Sequence, residues 1–216
     1  MKADFQEING HDPLYAPQSK EDSDIFNRFL LNGINFIQTW KGCVYHMTCR
    51  GSRFNPTLTT PGTNSSEWEA QNQRSTRNFI RKWGHFVKHD SLMKPIIPHK
   101  YNIGFKVHNC NHHLLELLEV WCDVIWVNEN IIEEYIQKEQ VNTKYDLKKR
   151  VHSIEGSEAK DYMDITVEFD AKNFTQDSFN IIQSLSDIIT ESGEVGEFTL
   201  DCFKVIIQQL ETYEKI

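Results

Sequence analysis

The sequence predicts an α/β protein of the mixed α+β type, with a partial helix-strand-strand-helix unit followed by a small domain in which strands and helices alternate. Three observations lead to this expectation. Apolar residues recur at helical spacing in several segments, short apolar runs typical of strands lie between them, and turn residues separate the two. The chain has 216 residues and is 39% hydrophobic and 25% charged, which is ordinary for a protein that buries a core.

A helix should begin near residue 19. Ser19 and Asp22 have the spacing of a capping box, in which side chains satisfy the exposed amides of a first helical turn. Apolar residues within 25–30 form one face of this helix, and Gly33 is placed to end it. Two short strands and a second helix should follow, over 34–40, 43–48 and most of 67–89.

Pro95 and Pro98 mark a linker. They divide the chain into a first region over 1–92, a linker over 93–100 and a second domain over 101–216. Strands in the second domain are expected over 101–108, 123–127 and 164–169, with a strand-rich stretch over 198–208. Helices are expected over 111–120, 131–140 and 176–190, and residues 142–160 should form a polar loop. This alternation is typical of α/β proteins.

The composition excludes several classes of function. A net charge of −8 argues against binding to nucleic acid or to an anionic membrane surface, because both need a basic surface. No apolar run reaches about 18 residues, so no membrane span is expected, and the first residues lack the apolar core of a signal peptide. The five cysteines are odd in number and form no CxxC pair, which predicts reduced thiols in the cytoplasm.

Two acidic residues are the first candidate site. Glu21 and Asp22 fall in the first turn of the predicted helix, where the dipole and exposed amides favour an ionised carboxylate. Such a group can accept a proton from an attacking hydroxyl, although capping alone also explains acids at this position. Asp24 and Arg28 are four residues apart and should pair on the helix surface.

A histidine at the end of a predicted strand is the second candidate. His46 follows Val44 and Tyr45, and a neutral imidazole is a good ligand for a divalent first-row metal. A structural role for this histidine is the alternative. Arg50 and Arg53 follow on a loop rich in small and polar residues, where arginines are commonly solvated. A local basic face of this kind can also meet a phosphorylated ligand.

These residues together resemble the C-terminal part of the catalytic domain of GT-A-type glycosyltransferases, of the family-two kind. The resemblance covers about residues 8–90. It rests on the Glu21-Asp22 pair with Asp24, Arg28 and Gly33, on the strand that ends in Val-Tyr-His, and on the Gly/Ser/Arg loop that follows.

The resemblance implies roles for the candidate residues. Asp22 would be the base that deprotonates the acceptor hydroxyl, with Glu21 orienting the acceptor or the base. His46 would contact a divalent cation, Mn²⁺ or Mg²⁺, or the diphosphate, beside Arg50 and Arg53. The chain would then transfer a sugar from a nucleotide-sugar donor to a glycan or other hydroxyl acceptor by metal-assisted direct displacement.

The same family places a nucleotide-binding half before this region. No strand, Gly-rich turn and helix precede residue 19, so we expect a fragment, a truncated reading frame or one half of a split enzyme. In the last case the donor-binding half is on a separate chain. Two other functions stay open. One is a non-catalytic α/β interaction protein that retains a glycosyltransferase remnant. The other is a metal-dependent hydrolase built on His85 with His89 or His108 with His112. Each pair is four residues apart, a spacing that can bind zinc on one helix, although the second pair straddles an expected strand–helix junction.

Overall fold

The computed structural model describes residues 2–35, 37, 39, 41–42, 64–155 and 163–211. The chain divides into two compact units. The first unit comprises Met1–Phe79 and Val87–Ile96, and the second comprises Ile80–Phe86 and Ile97–Lys215. The domain limits inferred from the sequence stay a prediction.

Helices and strands alternate along much of the described chain. The described residues form six α-helices, which are α1 Lys2–Glu7, α2 Glu21–Leu31, α3 Ser66–Trp83, α4 His112–Leu118, α5 Ile132–Glu139 and α6 Gln176–Ser192. They also form six strands, which are β1 Ile103–His108, β2 Val124–Val127, β3 Val151–Ser153, β4 Ile165–Asp170, β5 Gly196–Leu200 and β6 Phe203–Ile207. The predicted α/β class is confirmed.

Of the elements expected after α2, one strand needs correction, a second cannot be compared, and the helix is present. Ile34, Asn35, Ile37 and Thr39 have no strand assignment, so the strand expected over 34–40 is wrong for its described residues, and the strand over 43–48 lies outside the described ranges. The helix expected over most of 67–89 is α3, which ends at Trp83. It stops there because Gly84 adopts a left-handed conformation with φ +79°, which glycine tolerates.

The capping box expected at the start of α2 is not formed. The residue before the helix is Lys20, with φ 71°, and its side chain makes no capping hydrogen bond. Ser19 also has a positive φ, of 79°, and its hydroxyl bonds Oδ1 of Asn72 at 2.7 Å instead. A tertiary partner 53 residues away therefore replaces the local cap that Ser19 and Asp22 were expected to form.

Asp24 and Arg28 do pair, but in the interior of the first unit and not on the helix surface. Arg28 Nε lies 2.8 Å from Asp24 Oδ2, and the two side chains are 5% and 0% exposed. The guanidinium also donates to the carbonyl oxygens of Ile8 at 2.5 Å and Gly10 at 2.6 Å. Tyr15 Oη donates to the other carboxylate oxygen of Asp24 at 3.3 Å. Because an unpaired buried charge is costly, this cluster holds the N-terminal segment on α2.

The second unit is built on one mixed sheet with the strand order β3-β2-β1-β4-β6-β5. The first four strands in that order are parallel neighbours, whereas β6 is antiparallel to β4 and forms a hairpin with β5. Phe105 stands opposite Ile125 on one side and Val167 on the other. Helices α4 and α5 lie in the β1–β2 and β2–β3 connections, as parallel strands require.

The core of the second unit consists of apolar side chains from the central strands and the helices beside them. Completely buried members are Phe105, Leu115, Ile125, Val167, Ile189 and Val205. Helix α6 begins with a capping box between Thr175 and Ser178 and ends at Gly193, whose φ is 59°. These signals agree with the helix predicted there.

Glu119 lies at the centre of a buried ionic cluster in the second unit. Its carboxylate accepts hydrogen bonds from Arg81 Nη2 at 2.6 Å, Arg150 Nε at 2.7 Å and Tyr135 Oη at 2.9 Å. Arg81 also contacts Glu139 Oε1 at 2.5 Å. Burial by itself would raise the pKa of Glu119, but the charges of Arg81 and Arg150 outweigh it and lower the pKa to about 2.

Gly104 in β1 has no room for a side chain. A Cβ atom there would lie 2.6 Å from Cζ3 of Trp126 and 2.7 Å from Cγ of Met163. We expect Gly104→Ala to lower the free energy of unfolding by about 1–3 kcal/mol, because an overpacked interior must shift. Thermal unfolding of Gly104→Ala measures this loss of stability. Gly42→Ala is the control, since a Cβ at Gly42 meets no atom of the described residues within 4 Å. A melting temperature for Gly104→Ala equal to that of the wild type would contradict the argument.

Candidate functional site

Glu21 and Asp22 lie in the first turn of α2, as predicted, and their surroundings differ. Asp22 is exposed, and it lines a cavity in the first unit. Glu21 is half-buried, and its Oε2 atom is buried without a hydrogen-bond partner among the described residues. The free N–H groups of a first helical turn stabilise negative charge nearby. Of the two carboxylates, Asp22 is the one placed to meet a ligand in the cavity.

The cavity has a volume of about 500 Å³, within the range of small-molecule sites. Half of its twelve lining residues carry polar side chains, and these are Asp22, Ser23, Asn27, His89, Asp90 and Lys94. The other half are apolar, and these are Phe26, Ile37, Val87, Leu92, Met93 and Pro95. The walls come from α2, from Ile37 and from the segment 87–95.

Asn27 is the least exposed polar residue of this lining, with 4% of its surface accessible. Its side-chain Nδ2 is buried and has no hydrogen-bond partner among the described residues. A buried donor left unpaired costs about 1–3 kcal/mol. An oxygen of a ligand bound in the cavity would satisfy this donor. Asn27 therefore favours a ligand with a hydroxyl or carbonyl group at this position.

His89 is held in one tautomer by its own loop. Its Nδ1 lies 2.9 Å from the carbonyl oxygen of Asp90. A carbonyl only accepts hydrogen bonds, so Nδ1 carries a proton, and in the neutral form of the ring Nε2 is the acceptor. The loop itself is shaped by Asp90, whose Oδ1 accepts from the amides of Leu92 at 2.8 Å and Lys94 at 2.9 Å. Asp90 therefore has a structural role, whereas His89 is available to a ligand.

Three of the predicted site residues lie outside the described residues. His46, Arg50 and Arg53 stay predictions, and so does the divalent cation that His46 was expected to hold. Within the described ranges, no group of three or more His, Cys, Asp or Glu side chains is arranged to bind a metal ion. The described residues alone do not supply a ligand set for that cation.

The histidine pairs considered for zinc do not share a helix. Helix α3 ends at Trp83, so neither His85 nor His89 is helical. His108, at the end of β1, contacts Glu168 Oε1 at 2.9 Å. His112, in α4, contacts Glu134 Oε2 at 2.9 Å. The helical spacing that motivated a zinc site is therefore absent from both pairs.

Sequence reasoning did not place Asn27, His89 and Lys94 beside Asp22. The position of Asn27 could have been predicted, because helical spacing puts Ser23 and Asn27 on one face of α2. The position of the segment 87–95 could not, since it begins more than 50 residues after the end of α2. Only tertiary structure brings a histidine to the cavity that Asp22 lines, and it is a different histidine from the predicted one.

The carboxyl edge of the parallel strands in the second unit is another place where ligands bind in α/β proteins. The chain leaves β1 towards β2 and later returns to β4 on the other side of β1, which makes the β1–β4 edge a topological switch point. Here Asn109 Nδ2 donates to Asp170 Oδ2 at 2.9 Å, beside the His108–Glu168 contact. These polar groups are already paired with one another, so this edge is less suited to a ligand than the cavity.

The chain matches no protein-family model, no curated protein and no solved structure. In the described ranges we find no helical stretch with the length and apolar character of a transmembrane segment. Function therefore has to be argued from the geometry of the first unit.

Proposed function

We propose that this chain is the acceptor-side part of a GT-A-type glycosyltransferase, which transfers a sugar from a nucleotide-sugar to an acceptor hydroxyl. One observation carries the proposal: Asp22, at the helix start where the family resemblance puts its base, lines a cavity with His89 and with Asn27, whose Nδ2 has no hydrogen-bond partner among the described residues. This arrangement supplies a proton acceptor, a hydrogen-bond donor and an imidazole to one cavity.

The chemistry is a direct displacement with Asp22 as general base. The acceptor O–H bond breaks and its proton passes to the Asp22 carboxylate. The acceptor oxygen forms a bond to the anomeric carbon of the donor, from the face opposite the leaving group. The bond from that carbon to the diphosphate oxygen breaks, and the nucleoside diphosphate leaves with the electron pair. Asn27 Nδ2 would donate to an acceptor oxygen, and His89 Nε2 would accept from a neighbouring hydroxyl, so that both orient the substrate.

The donor side of the proposal rests on residues outside the described ranges and on another half of the enzyme. Arg50 and Arg53 would neutralise the leaving diphosphate, together with a Mn²⁺ or Mg²⁺ ion near His46. The nucleotide-binding half would come from a separate chain or from a longer form of this one. Glu21 would assist Asp22 from the same helical turn, as the family resemblance implies, while its buried Oε2 atom lies outside the lining of the cavity.

We further propose that the protein works in a reducing compartment, the cytoplasm. The three described cysteines, Cys110, Cys122 and Cys202, are free thiols. Burial raises the pKa of Cys110 to about 12, which keeps it protonated and unreactive at neutral pH. Such thiols suit a protein that does not depend on disulfides.

A non-catalytic interaction protein is the second candidate. The observation in its favour is the exposure of large apolar side chains around the cavity, such as Leu92 at 65% and Met93 at 62%. Exposed apolar patches commonly mark binding surfaces. The presence or absence of turnover separates this candidate from the transferase.

Substitution of Asp22 tests the transferase directly. The full chain would be assayed with Mn²⁺ and a panel of nucleotide-sugars, alone and together with a GT-A nucleotide-binding half, by release of nucleoside diphosphate. We expect Asp22→Asn to lower turnover by about 10²-fold or more, which is the usual effect of removing a general base. Folding should be unaffected, because Asp22 is exposed.

Asp177→Asn is the matched control, since Asp177 is also an exposed aspartate in the first turn of a helix, α6. Its turnover should equal that of the wild type. Turnover that survives Asp22→Asn would remove Asp22 from the base role. No turnover with any donor, in either form of the assay, would favour the interaction protein.

A further inference from the structure

The apolar half of the cavity is open to water when no ligand is bound. Phe26 is 44% exposed, Leu92 is 65% exposed and Met93 is 62% exposed. Ile37, on the same lining, is 86% exposed. Large apolar side chains that cluster at a cavity and remain exposed gain stability when a ligand covers them. The lining is therefore built to receive apolar surface as well as a hydroxyl.

Part of this apolar wall is held in place before any ligand binds. The hydrogen bonds from the amides of Leu92 and Lys94 to Asp90 Oδ1 fix the turn that carries Leu92 and Met93. A further hydrogen bond, from the amide of Ile96 to the carbonyl oxygen of Lys88 at 3.0 Å, closes the segment at its base. A wall in a preset position loses little conformational entropy on binding.

The chemistry of the wall argues against a bare sugar as the acceptor. Sugar hydroxyl groups placed against Leu92, Met93 and Ile37 would lose water without gaining hydrogen bonds, which is unfavourable. Of the six apolar lining residues, Phe26 carries the one aromatic ring that a sugar could stack on, and Leu92, Met93 and Ile37 offer none. The polar contacts are instead gathered near Asp22, Asn27 and His89, where a single hydroxyl-bearing group would be held.

We infer that the acceptor is amphipathic: the hydroxyl to be glycosylated is carried next to an apolar alkyl or aryl body that covers Phe26, Leu92 and Met93. This inference rests on the proposed transferase function and specifies its substrate class. The polar end of the acceptor meets Asp22 and Asn27, and the apolar body takes the place of the water on the exposed wall. A lipid-linked saccharide and an aryl glycoside share this chemistry.

Binding of simple glycosides to the full chain measures the contribution of the wall. The probes are methyl, hexyl and phenyl β-glucosides, titrated below their micelle concentrations and followed by calorimetry. Each methylene that is fully buried strengthens binding about fourfold. We expect the Kd of the hexyl or the phenyl glucoside to be at least about tenfold below that of the methyl glucoside, which requires burial of only about two methylenes.

Substitutions in the apolar wall test whether it causes the tighter binding of the hexyl and phenyl glucosides. Phe26→Ala and Leu92→Ser should abolish most of the difference between the hexyl and methyl glucosides. Leu31→Ala on the same helix and Val141→Ser in the second unit are the controls, because both side chains are exposed, at 41% and 82%, and neither lines the cavity. Tighter binding of the hexyl probe points to a lipid-like acceptor, and tighter binding of the phenyl probe points to an aryl one.

The outcomes separate this inference from the proposed function. Equal Kd values for all three glucosides, or no binding of any, would overturn the amphipathic acceptor. The inference would also be overturned if the hexyl or phenyl glucoside still bound more tightly than the methyl glucoside in both Phe26→Ala and Leu92→Ser. The transferase proposal would still stand in each case if nucleotide-sugar turnover depends on Asp22. Absence of that turnover, with the hexyl or phenyl gain intact, would instead reject the transferase and leave only an apolar binding site.

Discussion

Replacing Glu119 with glutamine should lower the free energy of unfolding of the second unit by about 3–5 kcal/mol, the usual effect of breaking a buried ion pair from one side. The substitution keeps the size of the side chain but removes its charge. Arg81, which is buried, would keep its contact with Glu139. Arg150, also buried, would lose the carboxylate that its Nε contacts at 2.7 Å. Urea unfolding followed by hydrogen exchange of the β1 and β4 amides would measure the loss in this unit.

Glu116→Gln is the matched control, because Glu116 lies in α4 near Glu119 but is partly exposed and pairs with Lys138 at 3.4 Å. Exposed pairs of this kind contribute about 0–1 kcal/mol. A change for Glu119→Gln no larger than that for Glu116→Gln would mean that the buried cluster does not stabilise the fold.

The same cluster makes the second unit sensitive to acid. The pKa of Glu119 is lowered from 4.5 to about 2 in the folded state, so the unfolded chain binds the proton more readily. The lowered pKa of Glu119 corresponds to about 3 kcal/mol of stability for the folded state. This contribution is complete above about pH 4.5 and is lost as the pH falls towards 2. The difference in unfolding free energy between wild type and Glu119→Gln should narrow over that interval, and a constant difference would contradict the assignment.

Asp24→Asn should be the most destabilising single change in the first unit, again by about 3–5 kcal/mol. It leaves the guanidinium of Arg28, whose side chain is 5% exposed, without its counterion. Once this ion pair is lost, the hydrogen bonds from Arg28 to the carbonyl oxygens of Ile8 and Gly10 should weaken. Amide exchange at Gly10, which is bonded to Phe5 O at 2.8 Å, should then accelerate.

Asp22→Asn on the same helix is the control for stability. Asp22 is exposed, so its substitution should change the free energy of unfolding by no more than about 1 kcal/mol, the usual effect of a charge near a helix start. A second comparison is the double variant Asp24→Leu with Arg28→Met, which removes both buried charges. It should recover much of the lost stability, since an apolar pair of similar size often replaces a buried ion pair without loss. If the double variant were no more stable than Asp24→Asn, the unpaired charge would not be the cause.

Much of the fold could be predicted from local patterns. The apolar runs of β1, β2 and β4, the start and end of α6, and the termination of α2 near Gly33 all follow from signals within a few residues. Strand β3 could not be predicted in this way. It has three residues, too few for a period to appear, and it exists because Val151 pairs with Ile125 in β2.

The candidate site also contains residues that could be predicted from the sequence and residues that could not. Asp22 at a helix start is readable from sequence, because helix-start signals are local. Asn27, with its unpartnered amide, and His89, with its fixed tautomer, were not recognised as site residues. Their significance depends on burial and on a neighbouring loop, neither of which a single sequence displays.

By itself, the sequence determined the type and approximate limits of most elements, the acidic start of α2 and the apolar strands of the sheet. These depend on side-chain periodicity and capping within one or two turns of chain. Tertiary structure alone decided that Asp24 and Arg28 are buried, that Glu119 binds Arg81 and Arg150 at sequence distances of 38 and 31 residues, and that segment 87–95 lies beside α2. The physical reason is that burial and long-range pairing are properties of the packed chain, and no local stretch contains the partner that fixes them.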